Sequence, residues 1–358
     1  VDNDKRFKVG LFGPNRRGGM SGAEVPERWD GTWESNARLA RVADEAGIEF
    51  ILSVARWLGY GGDTNFHGHS LDPIGYCNAM AGVTSRTTAF ATVHTAFTHP
   101  LVAAKQFATA ENISGGRFGI NVVCGFNQPE YEMFGATLPK EHKVRYGYGE
   151  EWLQIILRAW RETAPFDYKG EYFDLAHVMS EPKPLHGTPP IMNAAASDEG
   201  RAFAVRNVDF LFTLLFDVEK DAATVKKVVD AGRAEGRNVQ VFTTTHCVCR
   251  PTTKEAQEYY DYYAGEMEDA EGVERLMELQ GLHAKSFPPE TFTMFRKRFA
   301  GGHGTYPVVG SPDDVADELE RIANAGFAGC TLSFVDYAGE LEYFAAEVLP
   351  RLEARGLR

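Results

Sequence analysis

Short runs rich in β-branched and aromatic residues recur eight times along this chain, and segments with helical periodicity lie between most of them. Strands that alternate with helices form parallel sheets, and eight such pairs predict a closed (β/α)8 barrel of the α/β class. The alternative is an open doubly wound sheet, but residues 13–19 after the first strand lack its G-x-G-x-x-G pattern. The predicted strands are residues 7–12, 50–54, 89–95, 118–124, 191–196, 209–216, 239–248 and 330–335.

Three predicted connections are longer than ordinary barrel loops, and they cover residues 55–72, 125–144 and 250–310. Each follows a strand, so each is expected to be an insertion at the C-terminal mouth, where barrel enzymes bind their substrates. We expect one domain over residues 1–358. Within it, region 250–310 is expected to be partly helical and partly a mobile lid, because it contains the glycine-rich run 301–304.

Charge and hydropathy narrow the class of protein. The net charge is −13 with no basic stripe, which argues against nucleic-acid binding. No apolar run is long enough to span a bilayer, and the polar start of the chain, residues 1–6, has no apolar core of the kind found in signal peptides. The sequence therefore predicts a soluble, cytoplasmic protein.

The cysteines and paired histidines do not indicate a metal site. Five cysteines are an odd number, and Cys247 and Cys249 have no second pair nearby, so buried free thiols are expected. His67 and His69 could begin a metal site, but the sequence places no third ligand beside them. We expect no catalytic metal, and the role of this histidine pair stays open.

Polar side chains mark the ends of several predicted strands. Arg56 and Trp57 follow the second strand, Thr92 and His94 share one face of the third, and Asn121 interrupts the apolar fourth. A cation and an aromatic group suit an anionic aromatic ligand. Each of these residues also has a purely structural interpretation, as a surface arginine, a packed tryptophan, a satisfied core histidine or a paired amide.

Two helix starts could bind an anion. Arg145 and Tyr146 lie at the head of a predicted helix, where arginine opposes the helix dipole unless an anion is bound. Ser197 follows the fifth strand and is either an ordinary N-cap or an N-cap that also holds a phosphate. These residues alone leave both interpretations open.

The same segments resemble the luciferase-like flavin monooxygenases. The resemblance is carried by residues 53–62 (SVARWLGYGG), 114–125 (SGGRFGINVVCG), 129–131 (PEY), 166–173 (FDYKGEYF) and the tail 309–337, in that order and spacing. It spans nearly the whole chain. Within the family, the chain is most similar to the pyrimidine monooxygenases of uracil catabolism, with the dimethylsulfone and haloarene monooxygenases close behind.

The resemblance implies site residues. Flavin contacts are implied at Ala55, Arg56, Asn121, Glu130, Arg145, Tyr146 and Ser197. An oxygen pocket is implied at Leu52, Thr92, Asn121 and Phe126, and His94 could act as acid or base toward the substrate. The pyrimidine enzymes have tryptophan where this chain has Phe126 and lack His94, so the resemblance does not identify the substrate.

The implied reaction uses reduced FMN (FMNH2) and O2 to oxygenate a small heterocyclic, organosulfur or haloaromatic compound. The resemblance implies a flavin site, and the sequence has no recognisable NAD(P)H site. A separate NAD(P)H:flavin reductase is therefore the implied partner. The resemblance also leads us to expect a homodimer or homotetramer. Whether oxygen is carried at flavin C4a or N5 stays open. Two alternatives remain, namely an F420-dependent oxidoreductase of the same fold and a non-catalytic flavin-binding protein.

Overall fold

Eight parallel strands close into a barrel in the computed structural model, which describes residues 4–284 and 287–358. The described strands, in chain order, are β1 (Lys8–Phe12), β2 (Phe50–Leu52), β3 (Thr88–His94), β4 (Phe118–Val123), β5 (Phe166–Lys169), β6 (Asp174–Val178), β7 (Ile191–Ala194), β8 (Phe210–Thr213), β9 (Gln240–Cys249), β10 (Tyr306–Gly310) and β11 (Gly329–Ser333). The order around the barrel is β1-β2-β3-β4-β7-β8-β9-β11, and β11 pairs back to β1. The predicted fold class and all eight predicted strands are confirmed.

Helices separate the barrel strands, as the periodicity predicted. They are α1 (Trp33–Glu45), α2 (Pro73–Ala81), α3 (Pro100–Ser114), α4 (Gln128–Met133), α5 (His142–Arg161), α6 (Asp198–Asn207), α7 (Val218–Ala234), α8 (Thr253–Asp261), α9 (Ala270–Leu279), α10 (Pro289–Gly302), α11 (Pro312–Asn324), α12 (Tyr337–Glu347) and α13 (Leu349–Ala354), with a π-helical turn at Tyr262–Glu266. In the part of the chain that the structure describes, no helix combines the length and apolar character of a membrane span.

Aromatic side chains fill the barrel interior. Phe50 and Phe90 belong to an inner cluster that also contains Leu52, Met192, Phe210, Phe212 and Phe242. A Cβ on Gly10 would lie 2.3 Å from the Phe50 ring, and a Cβ on Gly119 would lie 2.2 Å from the Phe90 ring. Only glycine fits at these two positions, because the neighbouring rings occupy the space of a side chain.

Three elements were not predicted. Strands β5 and β6 form a small antiparallel hairpin, and β10 pairs with residues 245–249 of the long strand β9. Residues 13–32, between β1 and α1, form a fourth long connection, and they bury Arg16 and Trp29. Strand β10 and the 13–32 connection have weak local signals because their partners are distant in the sequence, whereas the two strands of the hairpin are neighbours in the sequence.

The long connection after β9 is largely helical, as expected. It contains α8, the π turn, α9, α10 and β10, and its residues pack with Tyr60 and Phe66 in a second hydrophobic cluster. Gly301 and Gly302 close α10 and are buried, and a Cβ on Gly302 would lie 2.6 Å from the His246 ring. These glycines allow close packing, so the run is not the flexible loop that motivated the lid. Movement elsewhere in this region stays a prediction, and its positions 285 and 286 lie outside the described residues.

Candidate active site

A hydrogen-bonded chain crosses three neighbouring strands at the barrel mouth. Thr92 and Asn121 are register partners on β3 and β4, and the Asn121 amide donates from Nδ2 to Thr92 Oγ1 over 2.9 Å. Thr92 Oγ1 donates in turn to the Ser53 carbonyl oxygen over 2.5 Å. The single proton of the threonine is thereby engaged, so of these two residues of the implied oxygen pocket only Asn121 has an N–H left to donate.

The other two residues of the implied oxygen pocket differ in exposure. Leu52 belongs to the inner cluster and lies two residues beyond Phe50 on the same face of β2. Phe126 lies beyond β4, is 41% exposed, and has its ring 5.1 Å from the Arg56 guanidinium carbon. Leu52 thus has an inward position like that of Thr92, while the observed partner of Phe126 is Arg56.

A buried ion pair fixes the loop after β2. Arg56 Nη1 lies 3.4 Å from Glu130 Oε1, and the same oxygen accepts from the backbone N–H groups of Trp57 at 3.0 Å and Leu58 at 3.3 Å. Glu130 comes from α4 and therefore ties this helix to the end of β2. The neighbouring Ala55 is also buried. The structure thus brings together three of the residues implied in flavin binding.

A second group of these residues meets at the start of α6. Ser197 caps this helix by accepting from the Gly200 N–H over 3.1 Å, so the ordinary N-cap role is present. Burial raises the pKa of Tyr146 to about 12, and a hydrogen bond with Ser197 opposes that shift. A Cβ on Gly200 would lie 2.4 Å from Tyr146 Oη, so glycine permits this approach. Two hydroxyls and the N–H groups of a helix start are suited to an anion.

Arg145 lies in the first turn of α5, next to Tyr146, as the sequence predicted. Its Nη1 donates to the Gly125 carbonyl oxygen over 3.0 Å, which links α5 to the end of β4. No ion pair to a carboxylate is formed by Arg145 within residues 4–284 and 287–358. Its charge is therefore not neutralised by a carboxylate of the described residues.

His94 has a different chemical state from the one its ordinary pKa suggested. Burial and the positive charge of Arg56 lower its pKa to about 3, while a hydrogen bond with the Ala55 backbone opposes the shift. His94 is therefore neutral at physiological pH and has no proton to give as an imidazolium acid. The unperturbed pKa therefore does not apply to this buried ring, and a role for His94 as a base toward the substrate stays a prediction.

The histidine pair does not form a metal site. His67 is completely buried, whereas His69 is exposed, so the two side chains do not converge. Over the described ranges, no group of three or more His, Cys, Asp and Glu residues is arranged to hold a metal ion. All five cysteines are buried free thiols, as predicted.

Sequence reasoning missed an aromatic wall at the mouth. Trp57 is 40% exposed, and its ring centroid lies 5.5 Å from His94, 5.3 Å from Phe97 and 5.0 Å from Phe134. Phe97 and Phe134 stack with centroids 4.3 Å apart. An exposed cluster of this kind suits a flat ligand. Aromatic residues after β2, β3 and β4 were visible in the sequence, but their convergence depends on the barrel.

Several buried polar atoms of the site have no hydrogen-bond partner in the described part of the chain. They are Asn121 Oδ1, Glu130 Oε2, Arg56 Nε and His94 Nδ1. Buried polar atoms are normally paired, so a set of unpaired donors and acceptors beside an aromatic wall points to a ligand with polar edges. A flavin ring fits this set, and its phosphate fits the Tyr146–Ser197 group.

Two comparisons by sequence indicate one family, and a comparison with solved structures gives the fold. Residues 7–329 match the family described as luciferase-like monooxygenase. Pyrimidine monooxygenase RutA of Enterobacter sp. (strain 638) is 31% identical over 357 residues, covering 98% of this chain and 97% of that protein. DmoA from Hyphomicrobium sulfonivorans superposes with a TM-score of 0.87 at 21% identity, covering 98% and 89% of the two chains.

A second solved structure has the same fold. The riboflavin lyase RcaE, whose structure contains modified FMN and the substrate riboflavin, superposes with a TM-score of 0.86 at 22% identity. The superposition covers 99% of this chain and 92% of that one. At such identities the likeness describes the fold.

Proposed function

Because the chain belongs to the luciferase-like monooxygenase family, we propose that it is a two-component monooxygenase using reduced FMN and O2 to oxygenate a small organic substrate. The observation that carries this proposal is the Ser53–Thr92–Asn121 hydrogen-bonded chain beside the buried Arg56–Glu130 pair. It leaves polar atoms of Asn121, Arg56 and Glu130 unpaired at the barrel mouth. Electrophilic and redox chemistry need a cofactor there, because these side chains supply only donors, acceptors and charge.

Two groups of residues would bind FMN, one at its phosphate and one at its ring. Tyr146, Ser197 and the start of α6 would hold the phosphate, with Arg145 supplying a positive charge. Arg56 and Asn121 would contact the polar edge of the ring, and Glu130 would keep Arg56 and the loop after β2 in position. The wall formed by Trp57, Phe97 and Phe134 would exclude water from one side of the site.

Reduced FMN, when bound, supplies the electrons that activate O2, so that one oxygen atom can enter the substrate. Asn121 has a second amide N–H that is not used by Thr92, and it would donate to oxygen as negative charge develops there. Thr92 would orient that amide by accepting one of its hydrogen bonds. His94 would remain neutral and line the substrate space, as expected for a ring with a lowered pKa.

The partner and substrate follow from the same family membership. We propose a separate NAD(P)H:flavin reductase as the source of reduced FMN, and a small heterocyclic, organosulfur or haloaromatic substrate. RutA, at 31% identity, is a pyrimidine monooxygenase by name. By the resemblance, the pyrimidine enzymes have tryptophan at the position of Phe126 and lack His94. The proposed substrate range therefore also includes compounds that are not pyrimidines.

The test combines cofactor binding with isotope incorporation. FMN binding is measured by calorimetry and flavin fluorescence, with one flavin per chain expected. Candidate substrates are then incubated with NADH, a generic flavin reductase and ¹⁸O2, and products are analysed by mass spectrometry. Incorporation of one labelled oxygen atom, above the background with reductase alone, supports the proposal.

The outcomes distinguish the alternatives. Binding of F420 without FMN binding would replace the proposal by a hydride-transfer function. FMN binding with no labelled product and no substrate-dependent oxygen uptake, across all three substrate classes, would favour a non-catalytic flavin protein. Arg17→Met changes an exposed residue outside the site and should bind FMN and form product as the wild type does. It is the control for activity lost during the preparation of a variant.

A further inference from the structure

Arg16 is a buried cation without an anionic partner. Its side chain is 1% exposed, its Nε has no hydrogen-bond partner, and one Nη group contacts the sulfur of Met20. No carboxylate pairs with Arg16 among residues 4–284 and 287–358. Burial lowers its pKa to about 9, with the charge of Arg56 contributing. An unpaired buried charge is strongly destabilising, so this position calls for an anion that the protein itself does not provide.

Two histidines and a tyrosine lie close enough to Arg16 to interact with it electrostatically, and the Arg16 backbone pairs with Ser70, three residues after His67. His67 is completely buried, and neither of its ring nitrogens has a partner within the described residues. It stacks on His303 with centroids 4.9 Å apart, and the Tyr60 hydroxyl lies 3.1 Å from His303 Nε2. We call Arg16, His67, His303 and Tyr60 the cationic cluster.

The electrostatic surroundings of the cluster are positive. The pKa of His67 lies well below its usual range, first because of burial and then because of Arg16, His303, Arg56 and Arg28. Three of these neighbours are arginines, while burial also holds the pKa of His303 well below its usual range, so that His303 is neutral. Glu130 forms its ion pair with Arg56 and none with Arg16 among the described residues.

The cluster cannot serve the flavin phosphate. Arg16 follows β1, whereas Ser197 follows β7, and these strands are separated by four steps in either direction around the barrel. The two anion-binding groups are therefore on opposite sides of the mouth. Arg56 connects the cluster with the ring end of the proposed flavin site, because its guanidinium carbon lies 5.5 Å from the Tyr60 ring centroid.

We propose that the cationic cluster binds an anionic group of the substrate, a carboxylate or a sulfonate, next to the flavin ring. This inference rests on the proposed monooxygenase function and makes the substrate class a small organic acid. The Arg16 guanidinium would pair with two oxygens of the acid, as arginine does with planar anions. Neutral His67 would donate one further hydrogen bond from a ring N–H. A neutral substrate would leave Arg16 unpaired and would therefore bind more weakly.

The test uses the FMN-loaded protein and matched small probes. Benzoate, benzenesulfonate and neutral benzamide are titrated by calorimetry into the wild type, Arg16→Met and Arg17→Met. Arg17 is the adjacent residue and is exposed, so it is the matched control. We expect the wild type and Arg17→Met to bind the two anions at least about tenfold more tightly than benzamide, and Arg16→Met to lose this preference.

A second measurement needs no flavin. If Arg16 is an unpaired cation, Arg16→Met should raise the melting temperature of the protein in buffer without added organic acids, since it removes an uncompensated buried charge. Added benzoate should then raise the melting temperature of the wild type more than that of the variant.

Specific outcomes overturn the inference. Equal affinities of the FMN-loaded wild type for benzoate and benzamide would mean that the cluster is not an anion site. The proposed monooxygenase function would be unaffected. A preference for anions that survives Arg16→Met would assign recognition to other residues. Failure to bind FMN would instead overturn the proposed function, while the melting-temperature comparison would still decide the role of Arg16.

Discussion

Glu130 holds the guanidinium of Arg56 with one carboxylate oxygen, 3.4 Å away, at a depth where the two side chains are 0% and 3% exposed. That oxygen also accepts two backbone N–H groups from the loop after β2. The pair therefore joins α4 to the second barrel strand and places a fixed positive charge at the ring end of the proposed flavin site. Removing either partner alone should be far more harmful than removing both.

Glu130→Gln should lower the free energy of unfolding by about 3 kcal/mol, because Arg56 would remain buried without a counter-charge. The double variant Arg56→Gln/Glu130→Gln should lose less than the sum of the two single changes. The free energies of unfolding of the two single variants and the double variant are measured by urea unfolding of the flavin-free protein. Glu132→Gln, at an exposed position on the same helix, is the control. Additive losses would mean that the two side chains are not coupled.

Asn121→Leu should lower the rate of substrate oxygenation about a hundredfold, the usual effect of losing one donor to a developing oxyanion. Thr92→Val should have a smaller effect, about tenfold, since the amide remains but loses the hydroxyl that orients it. Thr92→Ser keeps the hydroxyl and should therefore oxygenate the substrate at nearly the rate of the wild type. The measurements are the rate of product formation, the coupling, which is the product formed per FMNH2 consumed, and the melting temperature. Unchanged coupling with a lower melting temperature in Thr92→Val would make Thr92 purely structural.

Arg145→Ala should weaken FMN binding about tenfold or more and leave riboflavin binding nearly unchanged, because the two ligands differ by the phosphate. Lys143→Ala, an exposed cation in the same helical turn, should affect neither. Fluorescence titration gives both affinities. Equal losses for FMN and riboflavin would place Arg145 away from the phosphate.

His94 should make the protein less stable in acid. Its folded pKa of about 3 is below that of an unfolded histidine, about 6.5, so the unfolded chain takes up the extra proton between these values. Stability is then complete above pH 6.5 and falls toward pH 3, by up to about 1.4 kcal/mol per pH unit for this one group.

His94→Gln should reduce the steepness of that decline, measured as unfolding free energy between pH 4.5 and 7. Buried His246, whose pKa is also lowered to about 3 by desolvation, should account for a similar share of the remaining slope. His142→Gln, at an exposed position, is the control. An unchanged slope in His94→Gln would mean that the ring is solvated and protonates normally.

Local patterns in the sequence were sufficient for the architecture. The alternation of short β-rich runs with helical segments predicted the eight-stranded barrel, since the spacing of apolar residues within each segment indicates its type and the face that it buries. Ser197 as a helix cap and Arg145 at the head of α5 were also predictable, because capping depends on residues within one turn. The resemblance to the family drew on the same segments.

The chemical state of the site residues was decided only by tertiary structure. The Thr92 hydroxyl donates a hydrogen bond to the carbonyl oxygen of Ser53, 39 positions away, and burial of His94, whose ring contacts Trp57 and Phe97, lowers its pKa. Arg16 lies next to Arg17 in a glycine-rich segment, and only the tertiary structure shows that it is buried near His67 and His303. Hydrogen-bond partners, desolvation and unpaired charge depend on which distant residues the barrel brings together, and no local pattern in the sequence encodes that.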